Sequence, residues 1–324
     1  MSFLKGNKMS FLKFLSMLVL TGLTTIVPAQ TYPVKPVKLI TNLPVGSGPD
    51  VIIRKYAEIL SQNWKQPVLV DNHPGASGAV ALEYFKNNKD SYSIYIGDAV
   101  SITGMPYLYN REHLLTDIKP LFLLYSNNWV VVASTKYNST QEVLEDFKKK
   151  PYFGSWAVGS VGQICGHELS MAVTKTLGLH VPYKDYSAWF LDVISQELKL
   201  SCTTLASSLP YVQTGRLQVI AMTGAKRNPQ YPDVPTLKEL LKQDPAIPEG
   251  WIGAFVDENI NKDIYKKIES DFATASTDPE IKKLLETFYV DGNTSLKGQE
   301  FTTYIKKSTK EYTDAIQKFK IVVN

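Results

Sequence analysis

The stretch Val37-Lys38-Leu39-Ile40-Thr41-Asn42-Leu43-Pro44-Val45-Gly46-Ser47-Gly48-Pro49-Asp50 decides the fold. Its first five residues are rich in β-formers and read as a strand. Residues 44–50 are a turn-like run of small residues. Val51, Ile52, Tyr56, Ile59 and Leu60 then recur at helical spacing. The same order follows again. Pro67-Val68-Leu69-Val70 is a short apolar strand, Asp71-Asn72-His73-Pro74-Gly75-Ala76-Ser77-Gly78 a second small-residue loop, and 79–86 a helix. Ser93-Ile94-Tyr95-Ile96-Gly97 is a third strand, ending at Asp98. A β-α-β-α-β order predicts a parallel sheet covered by helices on both faces.

Further along, 121–124 and 130–133 read as apolar strands separated by Asn127-Asn128, and 146–150 closes a helix. Gly154-Ser155-Trp156-Ala157-Val158-Gly159-Ser160-Val161-Gly162 is a third small-residue loop. It leads into a helix over 164–177 that ends at Gly178. Strands are expected at 180–183, 198–203, 218–222 and 251–255, so a second α/β unit begins near residue 131. From Lys262 the chain reads as helical to its end, broken at Asp278-Pro279 and at Gly292. No internal repeat of fixed period is present.

At the other end, Lys5, Lys8 and Lys13 precede the apolar run Phe14-Leu15-Ser16-Met17-Leu18-Val19-Leu20, and Pro28-Ala29-Gln30 follows. That is the layout of a secretory signal over 1–29, with cleavage near Ala29. The run is too short, and too broken by Thr21, Gly22, Thr24 and Thr25, to span a membrane. An uncleaved anchor, or lipid attachment elsewhere, is the alternative. Export removes ATP, NAD and the reducing cytosol from the expected partners. About 295 of the 324 residues then remain, which suits two domains.

The net charge of +4 is small, and Lys148-Lys149-Lys150 reads as a solvated helix end rather than a nucleic-acid patch. Cys165 and Cys202 admit one disulfide; two buried free thiols are the favoured expectation, since a chain of this size needs no staple.

Few catalytic signatures survive inspection. Gly46-Ser47-Gly48 follows a strand and opens a helix, with Asp71 about 20 residues on, as in a dinucleotide fingerprint. Val51 occupies the third glycine position, however, and Pro49 interrupts the motif. No P-loop is present. No serine sits in G-x-S-x-G, because Val158 precedes Ser160 and Ala79 follows Ser77. His73, His113, His167 and His180 show no metal-ligand spacing. No cofactor and no metal are therefore expected. What does recur is a strand, a loop of Gly, Ser and Ala, and a helix start. Such turns present backbone N–H groups and the positive end of a helix dipole to a small anion.

The residues resemble a known family. Tyr32-Pro33-Val34-Lys35-Pro36-Val37-Lys38, Leu43-Pro44-Val45-Gly46-Ser47-Gly48-Pro49-Asp50 and Gln66-Pro67-Val68-Leu69-Val70-Asp71-Asn72-His73-Pro74-Gly75-Ala76-Ser77-Gly78 are similar to ordered blocks of the periplasmic solute receptors of the tripartite tricarboxylate transporters, the TctC or Bug family. Val181-Pro182-Tyr183-Lys184, Ala221-Met222-Thr223-Gly224-Ala225-Lys226-Arg227 and Pro232-Asp233-Val234-Pro235-Thr236 continue the resemblance.

The resemblance implies an α/β periplasmic binding protein of the type II-like, Venus-flytrap kind, with two doubly wound lobes joined by two crossing strands. Lobe 1 would hold 31–130 and 251–324, and lobe 2 131–250. The crossings fall near 125–133 and 250–256, with 218–222 as an alternative return. Ligand contacts carried over from the family are Val45, Gly46, Ser47, Asp50, Ala76, Ser77 and Gly78, then Asp98 and Ala99. From the second lobe come Ser155, Gly159, Ser160, Val161, Gly162 and Gln163, with Thr203 and Thr204 at the ligand's far end. Asp50 is assigned a helix-capping role instead of a direct carboxylate contact, since like charges repel.

Departures from the family pattern are Ser47 in place of a second glycine, where a different backbone angle is expected, Trp156 in place of a small residue, and Thr203 where an acidic residue often selects amino-bearing ligands. The implied function is capture of a small organic acid and its delivery to inner-membrane transporter subunits by a periplasmic monomer that is not an enzyme. The alternatives are a periplasmic sensor partner of a signalling system and a secreted serine hydrolase.

Overall fold

The computed structural model describes residues 32–88, 90–183, 186–288, 290 and 296–323, and residues 35–324 form one compact unit. The expected signal over 1–29, its cleavage position and the break at Gly292 lie outside the described residues.

The first sheet contains β1 (Val37–Thr41), β2 (Val68–Asn72), β3 (Ser93–Asp98), β4 (Ile118–Asn127) and β10 (Gly250–Asp257), in the order β2-β1-β3-β10-β4. The second contains β5 (Val130–Ser134), β6 (Tyr152–Ser155), β7 (Leu179–Pro182), β8 (Leu200–Thr203) and β9 (Leu217–Met222), in the order β7-β6-β8-β5-β9. In each, the first three strands of that order are parallel and the fourth runs antiparallel to both neighbours. That fourth strand is the one that has just crossed from the other lobe: β5 enters the second sheet directly after β4, and β10 returns to the first. Strand β9 pairs with β5 and so stays in the second sheet.

Helices cover the sheets. In the first lobe these are α1 (Gly48–Trp64), α2 (Ala79–Asn87) and α3 (Met105–Leu108); in the second, α4 (Thr140–Lys149), α5 (Val161–Thr174), α6 (Tyr186–Ser195), α7 (Leu205–Gln213) and α8 (Leu237–Leu241). After the return come α9 (Lys262–Ser276), α10 (Pro279–Thr287) and α11 (Gly298–Lys318). Strands β1 and β3 are apolar on both sides because helices cover both faces: Val37, Leu39, Ile40, Ile94, Tyr95 and Ile96 are all buried. Helix α1 buries Ile52, Ile53, Tyr56, Ile59 and Leu60 as one stripe. Helix α11 buries Phe301, Tyr312, Ala315 and Ile316, and Val161 and Ile164 of α5 belong to the same apolar cluster. The C-terminal helix thus packs across the lobe boundary, where Lys318 also pairs with the buried Glu168 at 2.6 Å.

Two expectations are corrected. Helix α5 starts three residues before the expected 164, because the Ser160 side chain accepts from the Gln163 amide and caps it. With α5 in that register, Cys165 lies over β8, its Cα 6.0 Å from that of Cys202. The pair forms a disulfide instead of two free thiols.

Candidate functional site

A cavity of about 680 Å³ lies between the lobes, at the carboxyl ends of the parallel strands. This is where open α/β sheets place ligands. Three loops of the first lobe form one wall: Asn42 to Pro44 with Ser47, then Pro74 to Gly78, then Asp98 to Val100. The second lobe contributes Trp156 and Ala157, Tyr183 and Tyr186, and Thr203 to Ser207. The crossings supply Asn127, Asn128 and Trp129 on one side and Gly250 to Ile252 on the other, and Tyr312 comes from α11. The lobes touch beside the cavity. A Cβ on Gly48 would stand 2.6 Å from that of Ala206, so the first turns of α1 and α7 meet only because Gly48 has no side chain.

The first loop is built around Ser47. Gly46 takes φ +76°, and Ser47 is extended (φ −67°, ψ 157°) with its side chain accepting from the Asp50 amide. The left-handed step therefore falls on Gly46, and Ser47 needs no unusual angle. Asp50 is not the cap. It is the third residue of the helix, and its carboxylate accepts from the Gly46 amide (2.8 Å), Arg54 (2.8 Å) and Asn72 (2.9 Å). Burial pushes the Asp50 carboxyl up, but these hydrogen bonds outweigh it and hold the group below its usual range.

In the second loop Ala76 (φ 45°) and Ser77 (φ 51°) are both left-handed without being glycine. Strain of this kind persists where surrounding structure holds it, and it concentrates at binding sites. Asp98 ends β3 on the cavity wall. Its Oδ1 accepts from Asn42 Nδ2 (3.2 Å) and from the Ser101 amide (2.9 Å). Burial pushes this carboxyl up, against the lowering effect of those bonds.

On the facing lobe Thr204 caps α7 by accepting from the Ser207 amide, and the two hydroxyls lie 2.8 Å apart. Ser155 and Ser160 face inward instead. Ser155 Oγ is 2.8 Å from Ser160 Oγ and 2.6 Å from His180 Nε2, and it donates to the Ala157 carbonyl at 3.1 Å. Gln163 Oε1 accepts from the Gly159 amide at 2.7 Å, and Gln163 Nε2 is 3.3 Å from His167 Nε2. Burial pushes both His167 and His180 down to about 4, the latter with a further push from His167. Ser155 and His180 resemble a nucleophile and its base, but Ser155 is sealed within the lobe and does not reach the cavity wall.

Of the candidate residues, Ser47, Ala76, Ser77, Gly78, Asp98, Ala99, Thr203 and Thr204 stand on the cavity wall. Val45, Gly46, Asp50, Ser155, Gly159, Ser160, Val161, Gly162 and Gln163 do not; Val45 and Gly46 are exposed, and Asp50, Ser155, Ser160, Val161 and Gln163 are buried. The sequence reading missed the rings. Trp129 is fixed by its indole N–H on the Pro248 carbonyl (3.1 Å) and Trp251 by its own on Ser308 (2.9 Å). Tyr109, Tyr125, Tyr183, Tyr186 and Tyr312 also line the space. Trp156, singled out in the sequence, walls the cleft. The cavity thus offers capped helix starts, small loops, hydroxyls and aromatic faces. Among the described residues no group of His, Cys, Asp or Glu could hold a metal ion, and no helix is long and apolar enough to cross a membrane.

Comparison with known proteins agrees with this architecture. The profile of the tripartite tricarboxylate transporter family receptor, TctC, matches residues 52–321. A UPF0065 protein of Bordetella pertussis is 26% identical over 284 residues, covering 85% of this chain and 87% of that protein. In fold the chain is similar to the periplasmic binding protein BugD, with a TM-score of 0.78 at 22% identity over 90% of this chain and 99% of BugD. It is also similar to an R. palustris protein solved with adipate, with a TM-score of 0.76 at 19% identity over 90% of this chain and 99% of that one.

Proposed function

Because the chain belongs to the tripartite tricarboxylate transporter receptor family, we propose that it captures a small carboxylate-bearing solute between its lobes and delivers it to the membrane subunits of such a transporter. The observation that carries this reading is the convergence of three helix starts, those of α1, α2 and α7, on one cavity. Their dipoles and N–H groups stabilise a negative charge without a basic side chain. Closure would exclude water and strengthen each charge-assisted hydrogen bond. A protein of the same fold has been solved with adipate, in keeping with a carboxylate ligand here.

In this reading residues 31–130 and 251–324 move as one lobe and 131–250 as the other, by rotation at the two crossings. Export over the signal at 1–29 puts the protein in the periplasm, where it acts as a monomer. In this reading binding is non-covalent, and the burial of the Ser155–His180 pair within the lobe supports it.

A thermal-shift screen against mono-, di- and tricarboxylates tests the reading, since a ligand of the folded form raises the melting temperature by mass action. A concentration-dependent rise with one acid class is expected, and Ser77→Trp should abolish it by filling the cavity while the protein still melts cooperatively. No shift with any acid, or stoichiometric labelling by a serine-reactive probe, would overturn the reading.

A further inference from the structure

The cavity's own side chains narrow the ligand class, on the premise that the site binds an acid. Its lining contains Trp129, Trp156 and Trp251 and at least five tyrosines, yet no lysine, arginine or histidine among the described residues. Rings of this number bury a planar apolar body by offset and edge-on contact. Among the described residues of the wall, neutral donors and helix dipoles make up the anion-binding provision. Such provision suits one carboxylate, because each further buried charge needs its own compensation.

The one charged group among the described residues of the wall is itself an acid. Asp98 Oδ1 accepts from Asn42 Nδ2 and the Ser101 amide, and the Ser101 side chain also acts on this carboxylate. It stands in electrostatic reach of the hydroxyls of Tyr125, Tyr186 and Tyr312. The Tyr312 hydroxyl is buried and has no hydrogen-bond partner among the described residues. An aromatic box beside a carboxylate also suits a cation, but the starts of α1, α2 and α7 turn their positive ends to the same space and disfavour one.

We propose that this receptor is selective for aromatic monocarboxylates, whose ring lies among the cleft's tryptophans and tyrosines, and that Asp98 excludes acids carrying a second carboxylate. Like charges side by side in a water-poor cleft cannot both stay ionised without cost. Asp98 is thus a specificity-determining residue, set against the multiply charged solutes that the family's description suggests.

The test is calorimetric titration of the purified protein and of its Asp98→Asn variant with benzoate, 4-hydroxycinnamate, indole-3-acetate, adipate, citrate and choline. At least one aromatic monocarboxylate is expected to bind tenfold or more tightly than adipate or citrate. Asp98→Asn should narrow that gap at least fivefold by improving the dicarboxylate. Adipate or citrate binding as tightly as the best aromatic acid would overturn the inference and leave the carboxylate reading standing. Tight binding of choline, with no acid bound, would overturn both. An unchanged gap in the folded Asp98→Asn variant would overturn the role of Asp98, and should that variant fail to fold, Asp98→Ser is titrated in its place.

Discussion

The loop before α1 and the loop before α5 carry the same local device in different surroundings. Gly46 and Gly159 take φ +76° and +78°. Ser47 and Ser160 share φ −67° and ψ 157°, and each accepts from the amide three residues on. Asp50 and Gln163, in equivalent places, each accept from the preceding glycine amide. The sequence Gly-Ser-x-x-Asp or Gln therefore specifies one turn. What differs is what lies against it. Ser47 stands on the cavity wall, and a Cβ on Gly46 would meet nothing within 4 Å. Ser160 is buried, and a Cβ on Gly159 would meet Leu108 of the other lobe at 2.5 Å. Local chemistry sets the turn, and lobe packing decides whether it meets solvent and ligand or the protein itself.

The largest test of that contrast is the covalent tie behind the second loop. Cys165 lies five residues past Ser160 and is bonded to Cys202 across a sequence separation of 37, whereas the chain has no cysteine near the first loop. Closing a loop of that length removes about 4 kcal/mol of unfolded-state entropy on the chain-entropy account. Urea unfolding of the Cys165→Ser, Cys202→Ser double variant should lose an amount of that order. A loss under about 1 kcal/mol would show that packing against α11 alone holds the second loop.

Acid should separate the loops next. His167, against Gln163, and His180, against Ser155, have folded pKa values near 4, below the ordinary 6.5. Each takes up a proton on unfolding, so the stability it supports is complete above pH 6.5 and is lost as pH falls towards 4, on the order of 3 kcal/mol. Asp50 behind the first loop is held below its ordinary 3.8. Its contribution is present above 3.8 and is lost only as pH falls below that value. Urea midpoints between pH 7 and 4.5 should therefore fall, and His167→Gln should flatten the fall. A flat profile in the wild type would break the assignment.

Why these differences were partly hidden is a matter of range. The strands of both sheets and the loops at Gly46, Gly75 and Gly154 were legible because apolar runs, small residues and helical spacing are local. Strand order was not: nothing in Trp251-Ile252-Gly253-Ala254-Phe255 says that it will insert antiparallel between β3 and β4. The start of α5 was misplaced because Val161 and Gly162 are weak helix residues held by the Ser160 cap. The rings of the site escaped for a further reason. Tyr125, Trp129 and Trp251 sit in or beside strands buried on all sides, where alternation gives no inside and outside, and only the crossing of the two lobes turns them to a common cavity. Asp98 and Thr203 came from the family resemblance, and their place on the cavity wall has a local reason: each ends a strand, at the mouth of the sheet.

The smallest effects come from the two serines, and there the comparison is sharpest because each substitution removes the same atom from the same turn. Ser160→Ala deprives Gln163 of its cap and removes one of the three hydrogen bonds of Ser155, which keeps His180 and the Ala157 carbonyl, so a loss of about 1–2 kcal/mol is expected in urea unfolding. Ser47→Ala removes a long, half-buried cap of 3.4 Å and an exposed bond to the Pro44 carbonyl, and about 0.5 kcal/mol should go. Affinity should invert the order. Ser47 lines the cavity and Ser160 does not, so Ser47→Ala should weaken the acid found by the screen about tenfold while Ser160→Ala leaves it within twofold. Equal losses in both measurements would mean that the two loops share a role as well as a geometry, and that the second reaches the ligand through Trp156 and Ala157, whose place on the wall depends on the turn that Ser160 closes.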